Sequence, residues 1–263
     1  MINFKQIARI ETDDLRNIIN EKNRPIKDNL NLLKSAIIKS YNNYSEIENN
    51  KRIKVSNYDN NDKSNLQSLY NSKTSTAKKV IQSIIDNLDP KHDSRCLYCG
   101  IGEFEEIDHF LPKEHFPEFS ILFKNLIPIC GSCNKIKGQK TPGENIDFLH
   151  LTYDILPLEE YLDLDITFNN KIPILNFTVK NHFNGTLIEN HINALKLTSR
   201  YNKKGIQYIL RIKALYENYG EKYAEEEINR NLLENSTFYG SNFWKSILIK
   251  KLKDIDFVSR YCS

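Results

Sequence analysis

Apolar residues recur at the three- and four-residue spacing of an amphipathic helix through most of the chain. Over residues 12–41 this spacing predicts two helical segments, and Pro25 separates them or opens the second. Residues 75–88 are also predicted to be helical, with Ser75 or Thr76 as the capping residue. The N-terminal region is therefore expected to be a group of short helices.

The stretch 42–73 departs from this pattern because Asn, Ser and Lys far outnumber its apolar residues. A segment with so little apolar surface has little to offset the entropy lost on ordering. We predict a loop that includes a short helix, and the least ordered part of the chain.

The C-terminal part of the chain starts with strand-like segments and then returns to helix. Asp165–Phe168 and Ile174–Val179 have strand propensity, and Asn169-Asn170 is a suitable turn between them. Helical spacing follows over 186–219, with a predicted break near 202–205. Two further predicted helices occupy 221–235 and 241–260.

These elements predict an α+β chain that is mostly helical and has three regions. Residues 1–90 form a helical N-terminal region that contains the loop 42–73. Residues 91–150 form a central cysteine-rich module, and residues 151–263 form a short hairpin followed by helices. No internal repeat is visible.

Composition excludes several classes of protein. With 40% hydrophobic and 27% charged residues, the chain has enough apolar surface for a core. It contains no run of about 18 apolar residues, so no membrane-spanning helix is expected. The N-terminus lacks the apolar segment of a secretory signal, and a cytoplasmic location is expected. The net charge of +3 neither indicates nor excludes a nucleic-acid partner.

Four of the five cysteines form two Cys-x-x-Cys pairs, Cys96 with Cys99 and Cys130 with Cys133. Each pair places two thiolates on a tight turn, and two such turns supply the tetrahedral sulfur set that structural zinc prefers. Disulfides are not expected in a cytoplasmic protein, and a redox dithiol needs only one pair. The sequence therefore predicts one structural zinc ion.

The residues around these pairs suggest chemistry. Asp108-His109 follows the first pair, Asn125 precedes the second, and Asn134 comes directly after Cys133, with Lys137 three residues later. This stretch of about 45 residues resembles the HNH, or ββα-metal, endonuclease family in its four-cysteine form. The final family position is often His, and here it is Asn134, which keeps an oxygen ligand.

The resemblance implies a ββα-metal module and a mechanism. His109 looks like the general base that activates water, and Asp108 and Asn134 look like ligands of one catalytic Mg²⁺ or Mn²⁺ ion. Asn125 looks like the Asn that fixes the loop orienting the base. Lys137 is either a contact to phosphate or a solvated lysine.

A narrower resemblance concerns standalone HNH proteins of prokaryotic anti-phage systems, of the Septu PtuB and retron-associated types. It rests on Asp108–Lys113, Phe116-Pro117, Asn125–Pro128 and Phe148–Asp154, where Leu151 replaces a proline. This resemblance implies a DNA-cleaving defence effector regulated by a separate ATPase. The chain has no G-x-x-x-x-G-K-[ST] phosphate-binding loop, so any nucleotide-driven control is expected to come from a partner. Double-strand cleavage would then require a homodimer. A ribonuclease acting on structured RNA and an inactive zinc-stabilised nucleic-acid-binding or adaptor module are the alternatives.

Overall fold

The computed structural model of the protein describes residues 11–44, 55, 57–90, 94–141, 148–151, 154, 156–170, 172–258 and 262. Within these residues helices predominate, and the strands form two two-stranded antiparallel sheets. The predicted fold class, α+β and mostly helical, is confirmed. None of the helices in the described ranges is long and apolar enough to cross a membrane.

The chain divides into two compact units. One contains the described residues of 3–89 and 103–155, and the other contains those of 90–102 and 156–263. The division into three regions that the sequence suggests stays a prediction.

Four helices make up the N-terminal part of the first unit: α1 (Glu11–Asn20), α2 (Ile26–Asn43), α3 (Asn60–Asn71) and α4 (Ser75–Asp86). Three of them follow the predicted apolar spacing, and α1 packs against both α2 and α4.

The cap of α4 differs from the prediction. The Thr74 side chain, rather than Ser75 or Thr76, accepts a hydrogen bond from the Ala77 N–H at 3.3 Å, because Thr74 is the last residue with extended backbone before the helix.

Helix α3 occupies twelve of the residues 42–73 and is the short helix expected within that loop. The Asp59 side chain accepts a backbone N–H of the first turn at 2.8 Å, and Leu66 and Leu69 are fully buried. Two leucines one turn apart, together with a capping residue, are enough to hold a short helix against α2. Residues 45–54 and 56 lie outside the described residues.

The centre of the first unit is a ββα arrangement. Strand β1 (Glu106–His109) pairs antiparallel with β2 (Leu126–Ile129), and helix α5 (Gly131–Lys137) follows directly after Cys130. Every residue of β2 is buried, whereas β1 becomes buried only at His109. This is the order of elements that the HNH resemblance implies.

The second unit contains a β-hairpin, β3 (Leu162–Asn169) and β4 (Ile172–Val179). Both strands are longer than predicted, and Asn170 lies in the turn with φ of 48°. Buried and exposed residues alternate along most of each strand. One face of the hairpin therefore packs against helices and the other faces solvent.

The described part of this unit also contains the helices α6 (Leu187–Ala194), α7 (Leu197–Tyr219), α8 (Glu221–Tyr239) and α9 (Trp244–Asp254). Helix α7 packs against β4 and α9 against β3, whereas α6 packs on α7 and α8 packs on α7 and α9. Helix α7 runs without interruption through the predicted break at 202–205, and the chain breaks instead at Lys196, whose φ is 53°. Gly205 has a packing role, because a Cβ atom there would lie 2.4 Å from Cδ2 of Leu175 on β4. The glycine lets α7 approach the hairpin closely.

Candidate active site and metal centre

The cysteines of the two Cys-x-x-Cys pairs come together as predicted. Their Sγ atoms lie within 4.8 Å of one another, and the side chains of Cys96, Cys99, Cys130 and Cys133 are all buried. Tetrahedral zinc with Zn–S bonds of about 2.3 Å places the sulfurs about 3.8 Å apart. Small shifts would therefore bring this donor set onto zinc, and a buried cluster of four thiols is the chemistry that a structural zinc site requires.

The turn of the first pair is held by helices of its own unit. Backbone bonds close the turn, because the Gly100 N–H donates to the Cys96 carbonyl at 2.8 Å. The Tyr201 hydroxyl donates to the Cys99 carbonyl at 3.1 Å, and the Trp244 indole N–H donates to the Gly100 carbonyl at 3.3 Å. Arg200 also places a guanidinium nitrogen 3.5 Å from the Cys99 sulfur. These donors fix the turn, and Arg200 places a positive charge beside the Cys99 sulfur.

His109 is buried at the end of β1, with 5% of its surface exposed. Its Nε2 lies 2.9 Å from the Ser120 carbonyl oxygen. Because a carbonyl can only accept, Nε2 carries the hydrogen, and Nδ1 holds the lone pair that could take a proton. Burial lowers the pKa of His109 to about 4. The hydrogen bond to Ser120 opposes this shift, and the charges of Lys113 and Lys137 act in the same direction as burial.

Asp108 and Lys137 form a buried ion pair. The Lys137 ammonium lies 2.9 Å from Oδ2 of Asp108, with 0% of the lysine side chain and 15% of the aspartate side chain exposed. The same ammonium donates to the His109 carbonyl at 2.7 Å. Lys137 therefore joins α5 to β1 directly beside the histidine, a role that sequence reasoning did not identify. Its contact with phosphate stays a prediction.

Asn134, on α5, faces β1. Its amide nitrogen donates to the carboxylate of Glu106, and this orientation leaves the amide oxygen directed away from that carboxylate. Glu106 and Asp108 are two residues apart on the same strand, so they share one face. The structure thus adds Glu106, which the sequence did not single out, to the two predicted oxygen donors.

A cleft of about 300 Å³ contains three of the side chains predicted from the HNH resemblance. Asp108, His109 and Asn134 line it, together with Tyr70 and Lys113. A carboxylate, an amide and a neutral imidazole thus share a concave surface that is large enough for a phosphate group and water. Of the residues predicted from the HNH resemblance, these three are brought together.

Asn125 lies outside the cleft lining and is fully buried. Its amide oxygen accepts from the Leu111 N–H at 2.8 Å and from the Tyr44 hydroxyl at 3.0 Å. Its amide nitrogen donates to the carbonyls of Leu111 at 3.0 Å and Phe119 at 3.2 Å. The side chain therefore ties together the chain that follows β1 and the chain that precedes β2.

Two aromatic residues of the N-terminal helices reach this part of the chain. The Tyr70 ring of α3 packs edge-on against the His109 ring with centroids 4.6 Å apart, and its hydroxyl donates to the Ile107 carbonyl at 2.9 Å. Tyr44, besides its bond to Asn125, lies 3.2 Å from Nε2 of His150. Neither tyrosine belongs to a recognisable motif, and their positions follow only from the packing of the helices.

Replacing Lys137 with Met tests the ion pair, and we expect it to lower the free energy of unfolding by about 1.5–3 kcal/mol. The change removes the donor to both Asp108 and the His109 carbonyl. In a double-mutant cycle with Asp108→Asn, the coupling energy should be about 1–3 kcal/mol. Denaturant unfolding with zinc present and without Mg²⁺ or Mn²⁺ measures both quantities.

The exposed Lys135 on the same helix is the matched control, and its replacement by Met should leave stability within about 0.5 kcal/mol. A coupling energy near zero between Asp108 and Lys137 would show that the pair is not formed in solution.

Comparison with known proteins places this site in a family. The HNH endonuclease family matches residues 96–140. The chain is 34% identical to protein ea31 of Escherichia phage lambda over 113 residues, which cover 43% of this chain and 36% of that protein. It is 35% identical to the Septu protein PtuB of Bacillus thuringiensis over 51 residues, which cover 18% of this chain and 20% of that protein.

The chain thus matches about a third of the length of ea31 and a fifth of that of PtuB. No solved structure matches it. The family match begins at Cys96 and ends at Lys140, and it therefore includes both cysteine pairs and the three predicted residues of the cleft. Residues 96–140 of this chain are an HNH endonuclease domain.

Proposed function

We propose that the protein is a metal-dependent endonuclease that hydrolyses phosphodiester bonds of DNA. The observation that carries the proposal is the cleft in which Asp108, His109 and Asn134 lie together within the HNH domain. These groups match the needs of phosphodiester hydrolysis, which are a base for water and oxygen ligands for a cation.

In the proposed mechanism His109 is the general base. Its Nε2–H is held by the Ser120 carbonyl, so Nδ1 is the atom that accepts a proton from water. The resulting hydroxide attacks phosphorus and the bond from phosphorus to the 3′ oxygen breaks. The leaving 3′ oxygen takes a proton from a second water, so the products are a 5′-phosphate and a 3′-hydroxyl, and the proton held by His109 returns to solvent. Because the pKa of His109 is lowered to about 4, the ring is neutral and ready to accept that proton at pH 7.

Asp108 and Asn134 are the proposed ligands of Mg²⁺ or Mn²⁺, and Glu106 lies on the same side of β1. Carboxylate and amide oxygens are the donors that these hard cations prefer. When bound, the ion supplies Lewis-acid stabilisation of the phosphate and of the leaving 3′ oxygen. Lys137 holds the Asp108 carboxylate in place, and Glu106 fixes the amide of Asn134.

The second metal in the proposal is a structural zinc ion on the four clustered cysteines. Cys133 directly precedes Asn134, and Cys130 precedes the first residue of α5. A zinc ion on these thiolates would therefore set the position of the helix that carries Asn134 and Lys137.

The wider role that we propose is that of an anti-phage effector in the cytoplasm. The similarity to PtuB supports it, as does the four-cysteine zinc site, since cytoplasmic thiols stay reduced. Regulation by a separate ATPase and pairing of two copies for double-strand cleavage belong to the same proposal. The other relative, ea31, is a phage protein, so similarity to it does not support a role in defence against phage. The proposed nuclease activity does not depend on that role.

Incubation of the purified chain with supercoiled plasmid and Mg²⁺ tests the proposal. We expect nicked circles first, because each HNH domain supplies one set of catalytic groups, with linear DNA appearing later through a second cut. Structured RNA such as tRNA, incubated in parallel, should remain intact. Rapid cleavage of tRNA with intact plasmid would support the ribonuclease, and no cleavage of either would support the inactive binding module. Immediate linear product at low enzyme concentration would contradict cleavage one strand at a time.

A further inference from the structure

A second cleft, of about 500 Å³, lies in the unit that contains the C-terminal helices. Its lining includes residues from successive turns of α8, Lys245 at the start of α9, and Arg95 just before the first cysteine pair. Its volume is in the range of pockets that hold small organic ligands, about 300–1,000 Å³. None of its lining residues belongs to the cleft around His109.

Two cations face this cleft in fixed positions. The Lys245 ammonium donates to the side-chain oxygen of Asn231 at 2.7 Å and lies 4.9 Å from the centre of the Tyr208 ring, and both of these partners are neutral. The guanidinium of Arg95 lies 5.1 Å from the centre of the Tyr239 ring, and its Nε donates to the Tyr239 hydroxyl at 2.9 Å. Both cations are held before any ligand arrives, which lowers the entropy cost of binding an anion.

The charges around Lys245 favour an anion. Burial lowers the pKa of Lys245, and the nearby positive charges of Arg95 and Arg211 act in the same direction. Glu227 and Glu234 oppose that shift, but Glu227 is paired with Arg211 at 3.0 Å and also with Arg230. A phosphate between Arg95 and Lys245 would relieve the repulsion between them.

The rest of the lining suits an organic group attached to the phosphate. Phe238 lies on the cleft with 44% of its surface exposed, and an exposed aromatic ring is a platform on which a nucleobase can stack. Glu234, one turn earlier on α8, lines the same cleft with a carboxylate. A carboxylate beside a phosphate site is a suitable acceptor for the hydroxyl groups of a ribose.

We propose that this cleft binds a nucleoside phosphate, with its phosphate between Arg95 and Lys245, its sugar near Glu234 and its base on Phe238. The ligand is either a free mononucleotide or one nucleotide of a single strand. The inference does not depend on the nuclease activity proposed for His109.

Calorimetric titration of the full chain, with zinc present and without Mg²⁺ or Mn²⁺, tests the proposal. The probes are ATP, AMP, an eight-nucleotide single strand of DNA and inorganic phosphate. We expect saturable binding of a nucleotide probe. Lys245→Met should weaken it about 10- to 100-fold, as expected when a charge-assisted hydrogen bond is lost. Phe238→Ala should weaken it about 5- to 100-fold through loss of stacking.

The matched control is Leu233→Ala, because Leu233 is 72% exposed on the same helix and does not line the cleft. It should bind as the unchanged protein does, and thermal melting should show that all three variants are folded. Tighter binding of ATP or AMP than of the oligonucleotide would identify the ligand as a free mononucleotide. Tighter binding of the oligonucleotide would identify it as one nucleotide of a single strand. The proposal is overturned if no nucleotide probe binds saturably, if Lys245→Met leaves the affinity unchanged, or if inorganic phosphate binds as tightly as the nucleotides.

Discussion

Replacement of His109 by Ala is expected to reduce the rate of DNA cleavage by about 10²- to 10⁴-fold, the usual contribution of a general base. The ring is the neutral, buried group in the cleft that also contains Asp108 and Asn134. Its removal leaves the ligands of the proposed cation in place, so metal and DNA binding should persist while water is no longer deprotonated. Initial rates of plasmid nicking in Mg²⁺ measure the effect.

His182→Ala is the matched control, because His182 lies half-exposed in the other unit and pairs with Glu159 at 2.9 Å. It should nick DNA at the rate of the unchanged protein. The pH dependence gives a second readout. Because burial lowers the pKa of His109 to about 4, its neutral form persists in mild acid, and the rate should not fall with a midpoint near the ordinary histidine value of about 6.5. Full nicking activity in His109→Ala would refute the catalytic assignment.

Removal of zinc is expected to abolish both the stability of the HNH domain and its activity. Binding of structural zinc contributes about 10–16 kcal/mol in small zinc-binding peptides, as much as or more than the about 5–15 kcal/mol that stabilises a typical domain. Cys130→Ser removes one of the four clustered thiols at the start of α5. Elemental analysis should give one zinc per unchanged chain and much less in the variant. Its thermal transition should also broaden or fall by more than about 10 °C.

The fifth cysteine supplies the control, because Cys262 is buried but is not part of the cluster. Burial raises the pKa of its thiol to about 11, so it stays protonated and is a poor metal ligand. Cys262→Ser should therefore keep the zinc content of the unchanged protein. A chain that is purified without zinc, and is nonetheless folded and active, would contradict the structural role of the cluster.

Sequence patterns were most informative where a short local rule decides the structure. The apolar spacing of α1 and the strand propensity around β3 and β4 were enough to predict those elements. Cys-x-x-Cys pairs constrain their own geometry, and so the cluster followed from spacing alone. Asp108 and His109 are adjacent in sequence, and Asn134 directly follows Cys133, so a local motif was sufficient to identify them.

The remaining features depend on contacts between distant parts of the chain. Gly205 resembles a helix break, yet its lack of a side chain serves the close approach of α7 to Leu175. Nothing in the sequence near Tyr70 marks it as the neighbour of His109. Glu106 did carry a signal that could have been used, because the alternation of a strand places it on the same face as Asp108. Lys137 could not be assigned from sequence, because only the fold distinguishes a buried ammonium from a solvated one.

The contacts of Tyr44 and Tyr70 have a practical consequence for protein engineering. The family match covers 45 residues, but the hydroxyl that completes the bonding of Asn125 and the ring against His109 both come from helices that precede it. A nuclease cassette cut at the edges of the match and fused to another protein would lack both groups. The smallest fragment that could be transplanted therefore has to include the helices from α1 onward. Helix α1 packs against α2 and α4, and α4 in turn packs against β2 of the ββα arrangement.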